Sequence, residues 1–194
     1  TEKKGYSGTA SYTREEPFVV KTFFGDNLLS KEGRMMELHF KDFVLLNIYF
    51  PNGGSGEERL QYKLCFYDEF LKHISGLVEQ GKHVVFCGDV NTAHQAIDLA
   101  RPKENEKVSG FLPIERSWMD QLVEAGFVDT FRSAEPETVK YSWWDMKTRA
   151  RERNVGWRID YFFVDQAFLP RVRETEYLND VPGSDHCPVL LKIG

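Results

Sequence analysis

"HVVFCGDVN", residues 83–91, decides how this chain is read. An apolar run of strand length reaches Cys87; Gly88 interrupts it, and Asp89 and Asn91 follow. Such a run, bounded by turn residues, reads as a buried strand. Polar groups at its end can reach a cleft while the sheet stays dry. The same arrangement recurs along the chain. "FVLLNIYF" (43–50) ends in Tyr49, with Asn52 just beyond, and Asp160 enters "IDYFFV" (159–164). Asp185 and His186, in "GSDHCP" (183–188), stand before the residues of "CPVLLKI" (187–193). These runs all read as buried strands. "MMELHF" (35–40) alternates, with Met36, Leu38 and Phe40 on one face, and reads as a half-exposed strand. Turn chemistry alone explains any single Asp or Asn. Four strand ends furnished in this way point to one cleft.

Helical spacing appears between the first two runs. Leu60, Leu64, Tyr67, Leu71, Ile74 and Val78 recur at threes and fours, which predicts one amphipathic helix stopped by Gly81. A shorter helix is predicted over about 115–125, ending at Gly126. Mixed strands and helices give an α/β or α+β domain with a layered sheet core.

The 194 residues suffice for one domain, 1–194, with no repeat or linker dividing it. The composition, 41% hydrophobic and 28% charged, is globular. No run of about 18 apolar residues predicts a membrane span, and "TEKKGYSGTA" lacks the apolar region of a signal peptide. Three cysteines in apolar surroundings, without a CxxC pair, read as buried thiols of a reducing cytosol. Net charge is −5, which argues against a polyanion partner. Yet residues 147–158 carry Lys147, Arg149, Arg151, Arg153 and Arg158 against Glu152 alone. That stretch is either a phosphate-contacting patch or a solvated loop, and it does not decide between them.

"IYFPNG", "GDVNTAH", "IDLARPKEN", "SGFLPIER", "RNVGWRIDYFFV" and "GSDHCP" occur in family order from Gly5 to Ile193. On these residues the chain resembles the exonuclease III branch of the apurinic/apyrimidinic endonucleases, within the endonuclease/exonuclease/phosphatase superfamily. The resemblance implies a two-layer β-sandwich flanked by helices, missing its opening strands. Family members begin with a "WN.NG"-like strand and then a "QE.K"-like strand, whose asparagine and glutamate serve the metal centre. Neither motif is here, so the chain reads as an N-terminally truncated nuclease domain.

The resemblance implies a magnesium-dependent DNA-repair phosphodiesterase, with manganese as a substitute ion. It would cut 5′ to abasic sites and carry 3′→5′ exonuclease activity. Asp89 would deprotonate the attacking water and Asn91 position it. Protonated His186, oriented by Asp160, would donate to a phosphate oxygen, and Tyr49 and Asn52 would add hydrogen bonds. Asp185, with Asp89 and Asn91, would hold the metal, more weakly without the missing glutamate. Tyr6, Arg34, Arg59, Asn105, Lys147, Arg149 and Arg151 are expected on the backbone of double-stranded DNA. Trp143, Trp157 and Ile159 are expected to wall the abasic sugar. Trp143 stands where the family often has phenylalanine. The expected location is prokaryotic cytoplasm at the nucleoid, away from membranes. The surface left by the absent section is expected to form a homodimer, and the magnesium requirement to rise. The rival reading is a folded DNA-binding remnant with little or no catalysis.

Overall fold

The apolar runs pair edge to edge in the computed structural model, which describes residues 4–24 and 31–194. In chain order come β1 (Val19–Lys21), β2 (Met35–His39), β3 (Val44–Ile48), α1 (Glu57–Glu79), β4 (Val84–Asp89), α2 (Pro102–Asn105) and α3 (Pro113–Glu124). Then follow β5 (Phe127–Asp129), α4 (Thr130–Ala134), β6 (Trp143–Trp144), β7 (Gly156–Trp157), β8 (Asp160–Asp165), β9 (Val172–Tyr177) and β10 (Val189–Ile193). The main sheet has the order β1-β2-β3-β4-β8-β5, with only β3 and β4 parallel. A parallel neighbour needs a crossover, and α1 supplies it.

One face of this sheet packs against α1 and α3. Leu46, Phe86, Tyr161 and Phe163 meet Phe66, Tyr67, Phe70, Trp118 and Met119 in the main core. Each fully buried aromatic of this kind contributes roughly 2–3 kcal/mol. Leu45, Val85, Phe162 and Val164 face the other way, toward Val172, Leu191 and Ile193 of the antiparallel pair β9–β10. The α/β, two-layer arrangement is as expected, and the second layer has two strands among the described residues.

Four sequence expectations need correction, the first being that of three buried thiols: Cys187 is buried, Cys87 partly so, and Cys65 is exposed. The buried face of α1 is Lys63, Phe66, Tyr67, Phe70, Ile74 and Leu77. Of the predicted stripe only Tyr67 and Ile74 lie in it, and Val78 is exposed. Phenylalanines bury more area than the leucines beside them, and Lys63 is neutralised by Glu115, so the helix turns that face inward. β2 is not half-exposed: Glu37 is as buried as Met35 and Leu38, because Lys21, His39 and His73 surround its carboxylate. β10 is half-buried rather than buried, since no strand covers its outer edge among the described residues. The helix stop is as predicted. Gly81 has φ +76°, its N–H donates to the Val78 carbonyl at 2.8 Å, and that of Lys82 donates to Leu77 at 3.1 Å.

Candidate active site

The site begins at a pinch in β4. Gly88 has φ +133°, and a Cβ there would lie 1.9 Å from the Ile48 carbonyl oxygen, so only glycine fits. One residue on, the β4–β8 register sets Asp89 directly opposite Asp160. Like charges so opposed repel. His186 relieves the repulsion: Asp160 Oδ2 accepts from its Nδ1–H at 2.8 Å, which leaves Nε2 for the cleft.

Asn91 has a left-handed backbone, φ 54°, which asparagine tolerates. It thereby folds back on Asp89: its N–H donates to Asp89 Oδ1 at 2.7 Å and its Nδ2 to Oδ2 at 3.0 Å. Asn52 Nδ2 donates to Asn91 Oδ1 at 2.9 Å. Tyr49 lines the same cleft, its ring 4.6 Å from the guanidinium of Arg34. Burial, reinforced by the Asp160 charge, pushes the Asp89 carboxyl up to about 7, against the opposing pull of His186 and the Asn91 N–H. Burial disfavours the His186 cation, but the Asp160 hydrogen bond and the charges of Asp160, Asp89 and Asp185 raise it to about 9.

The cleft, of about 600 Å³, is walled opposite by Trp143, Trp157 and Ile159. The two tryptophans are register partners of β6 and β7. Phe111 and Leu99 pack behind them. Trp143 also bridges to His186 through the backbone and donates Nε1–H to Asp185 Oδ2 at 3.2 Å. The structure therefore brings Tyr49, Asp89, Asn91 and His186 to one cleft with Trp143, Trp157 and Ile159, and sets Asp160 behind His186.

It treats the predicted DNA-contacting cations differently. Arg34 is buried, paired with Glu32 at 2.5 Å and donating to the Tyr49 carbonyl at 3.0 Å. Arg59 grips both oxygens of Glu32 and donates to the Tyr6 hydroxyl. Arg151 lies over Trp144 and donates to the carbonyls of Asn179, Val181 and Ser184. Arg158, counted in the basic stretch, is fully buried between Asp98 and Asp129. Asn105 lines the cleft but donates to the Arg101 carbonyl at 2.9 Å. Lys147, Arg149 and Arg153 remain exposed. Sequence reasoning missed Ser142, whose Oγ accepts from the N–H groups of Ile159 and Asp160 and fixes the entry to β8. No local signal marks it.

Carboxylate and amide oxygens suit a hard cation such as magnesium. Among the described residues, however, no three His, Cys, Asp or Glu side chains gather closely enough to hold a metal ion. Asp185, Asp89 and Asn91 supply donors of the right chemistry without enclosing a site.

Comparison with known proteins identifies the family. Residues 1–186 match the Endonuclease/Exonuclease/phosphatase family. The chain is 43% identical over 192 residues to an exodeoxyribonuclease of Bacillus subtilis (strain 168), covering 98% of this chain and 76% of that one. It is 43% identical over 191 residues to the DNA repair nuclease APEX1 of Danio rerio, covering 98% and 61% respectively. An AP endonuclease from Archaeoglobus fulgidus superimposes with a TM-score of 0.84 at 26% identity, over 92% of this chain and 72% of that one. The chain thus spans three quarters of the Bacillus enzyme and less than two thirds of the zebrafish one. It belongs to the Endonuclease/Exonuclease/phosphatase family, in the branch of exodeoxyribonucleases and apurinic/apyrimidinic endonucleases.

Proposed function

We propose that this chain is the catalytic part of a DNA-repair phosphodiesterase that cuts double-stranded DNA 5′ to abasic sites. Removal of nucleotides from a 3′ end is the same chemistry applied at a strand terminus. The supporting observation is the single register position that sets Asp89–Asn91 against Asp160–His186, beside a pocket walled by two indoles.

Asp89, raised to about 7, is poised to take a proton from water near neutral pH. Asn91 fixes the orientation of that carboxylate through two hydrogen bonds. His186, raised to about 9, carries its proton at neutral pH and donates to a non-bridging phosphate oxygen. Asp160 holds the ring and its tautomer. Tyr49 adds a phenolic donor from the end of β3, and Asn52 steadies Asn91. Trp143, Trp157 and Ile159 favour a base-free sugar, because a nucleotide that has lost its base leaves the stack at little cost. Lys147 and Arg149 are the cations best placed to meet backbone phosphates, with Tyr6, Arg34, Arg59, Asn105 and Arg151 acting mainly through the walls they brace.

Nucleases of this family generally work with a divalent metal ion, and magnesium, or manganese in its place, is the ion we assign. Asp185, with Asp89 and Asn91, would hold part of its shell, and it would supply charge neutralisation at the phosphate. No helix among the described residues is long and apolar enough to cross a membrane, and nucleoid-associated action in the cytoplasm fits a DNA substrate. A second reading, a DNA-binding fold without turnover, is favoured by the incomplete donor set. Incision of a tetrahydrofuran-containing duplex, with and without magnesium, separates the two. Incision that needs magnesium supports the first reading, and binding without incision supports the second.

A further inference from the structure

Lys63 and Glu115 form a buried ion pair directly beneath the cleft, and the chemistry above does not use it. Both side chains are fully buried. The Lys63 ammonium donates to the Asn91 carbonyl at 2.8 Å, to Thr92 Oγ1 at 2.9 Å and to Glu115 Oε1 at 2.7 Å. Its three donors are thereby used. Glu115, in the first turn of α3, accepts from Ser109 Oγ at 2.9 Å and from the N–H groups of Gly110 at 2.6 Å and Leu112 at 3.0 Å. Asn91, Ser109 and Gly110 all line the cleft.

Stability does not account for this arrangement, because a well-packed apolar pair often serves as well as a buried ion pair. An apolar pair cannot grip a main-chain carbonyl. We propose that Lys63, with Glu115, is a positioning residue for the reaction: its ammonium holds the left-handed turn at Asn91 that aims the Asn91 amide at Asp89. Glu115 ties the same turn to the 109–112 wall, so the water-preparing carboxylate and the sugar pocket keep a fixed relation. The inference rests on the reading of Asp89 and Asn91 given under the proposed function. Lys63 has no surface in the cleft, so it touches neither DNA nor ion.

The test is Lys63→Met combined with Glu115→Gln. The pair of changes removes both charges at nearly constant volume and leaves a carbonyl oxygen for the Gly110 and Leu112 N–H groups. On the tetrahydrofuran duplex, kcat should fall by about 10- to 100-fold, since small misplacements of reacting groups have effects of that size. KM and duplex affinity should stay within about twofold, because the pair makes no uniform binding contact. Amide exchange at Ala93, whose N–H donates to the Gly110 carbonyl at 2.8 Å, should quicken by about tenfold as the turn loosens. A folded double variant with unchanged kcat and exchange overturns the inference. Should it not fold, Thr92→Val is the milder probe: a drop of a few-fold in kcat at constant KM supports the proposal, and unchanged kcat overturns it. Asp89→Ala is measured alongside. If it cleaves as well as the unaltered protein, the reading of the site has failed, and exchange at Ala93 alone decides whether the pair holds the turn.

Discussion

Glu37→Gln tests whether a buried charge cluster, far from the cleft, secures the start of the main sheet. The Glu37 carboxylate is fully buried. It receives Lys21 Nζ from β1 at 3.0 Å, His39 Nε2 from β2 at 2.5 Å and His73 Nε2 from α1. Burial alone would raise its pKa; the bonds from His73, His39 and Lys21 more than reverse this and hold it at about 2, below the ordinary 4.5. A depressed carboxylate stabilises the fold above its unfolded pKa, and that stability drains away as pH falls toward the folded value. The full difference corresponds to about 3 kcal/mol, of which about 1 kcal/mol is gone by roughly pH 3.5. At pH 7, Glu37→Gln should cost about 1–3 kcal/mol, since it weakens the hydrogen bonds that Lys21, His39 and His73 make to a buried acceptor. Its stability should then lack the Glu37 share of the acid loss. Urea midpoints of both proteins at pH 7, 5, 4 and 3.5 measure this. If the two curves fall in parallel below pH 4.5, the cluster is not the source of acid sensitivity and the reasoning fails.

Asp89→Ala should lower incision by about two to four orders of magnitude while duplex binding persists, as filter binding and single-turnover rates would show. Neutralising Lys147 and Arg149 together should flatten the dependence of log affinity on log salt by up to about 1.8, or about 0.9 for each phosphate no longer neutralised. An unchanged slope would make that loop a solvated surface. Gly88→Ala should destabilise the fold by several kcal/mol, because a Cβ would collide with backbone on β3 and the residue would sit at positive φ. A melting temperature within a degree of the unaltered protein would count against the pinch. Because β10 is half-buried and paired on one side only among the described residues, it should pair with a second copy, and because the described residues gather no metal-ligand cluster, magnesium should be needed at high concentration. A monodisperse monomer in sedimentation, cutting at full rate in low magnesium, would remove both expectations.

Much of the site was legible because its parts are contiguous in the chain. A strand announces itself by an apolar run, and Asp89, Asn91, Asp160 and His186 sit within a few residues of such runs. The pairing of Asp89 with Asp160 was not legible, because register is a property of two strands far apart in sequence. The fate of the cations was hidden for the same reason. Arg158 reads as one charge among five, yet its partner Asp98 lies 60 positions earlier. Lys63 reads as the polar side of a helix until Glu115 is brought to it. β9 was overlooked because "VRETEY" keeps polar groups outward and only Tyr177 becomes fully buried. β6 and β7, at two residues each, are too short for any periodicity.

The two halves of the site are fixed by different means. Asp89 and Asp160 are set by the register of the main sheet, which cannot slip without turning every core side chain to the wrong face. Asp185 and His186 belong to a loop ahead of a half-buried strand, and the main sheet reaches them only through the side-chain bond from His186 to Asp160. Their backbone is held by β6: Trp143 pairs with His186, its indole donates to Asp185, and the Trp144 N–H donates to the Asp185 carbonyl at 3.0 Å. Trp143 is also a wall of the cleft. The side chain that walls the cleft therefore also orients the Asp185 carboxylate. A phenylalanine would keep the wall and lose the hydrogen bond, so on the proposed function Trp143→Phe should alter the aim of Asp185 while leaving the sugar pocket closed, and incision of a tetrahydrofuran duplex that stays at the unaltered rate would show that the indole N–H does not matter.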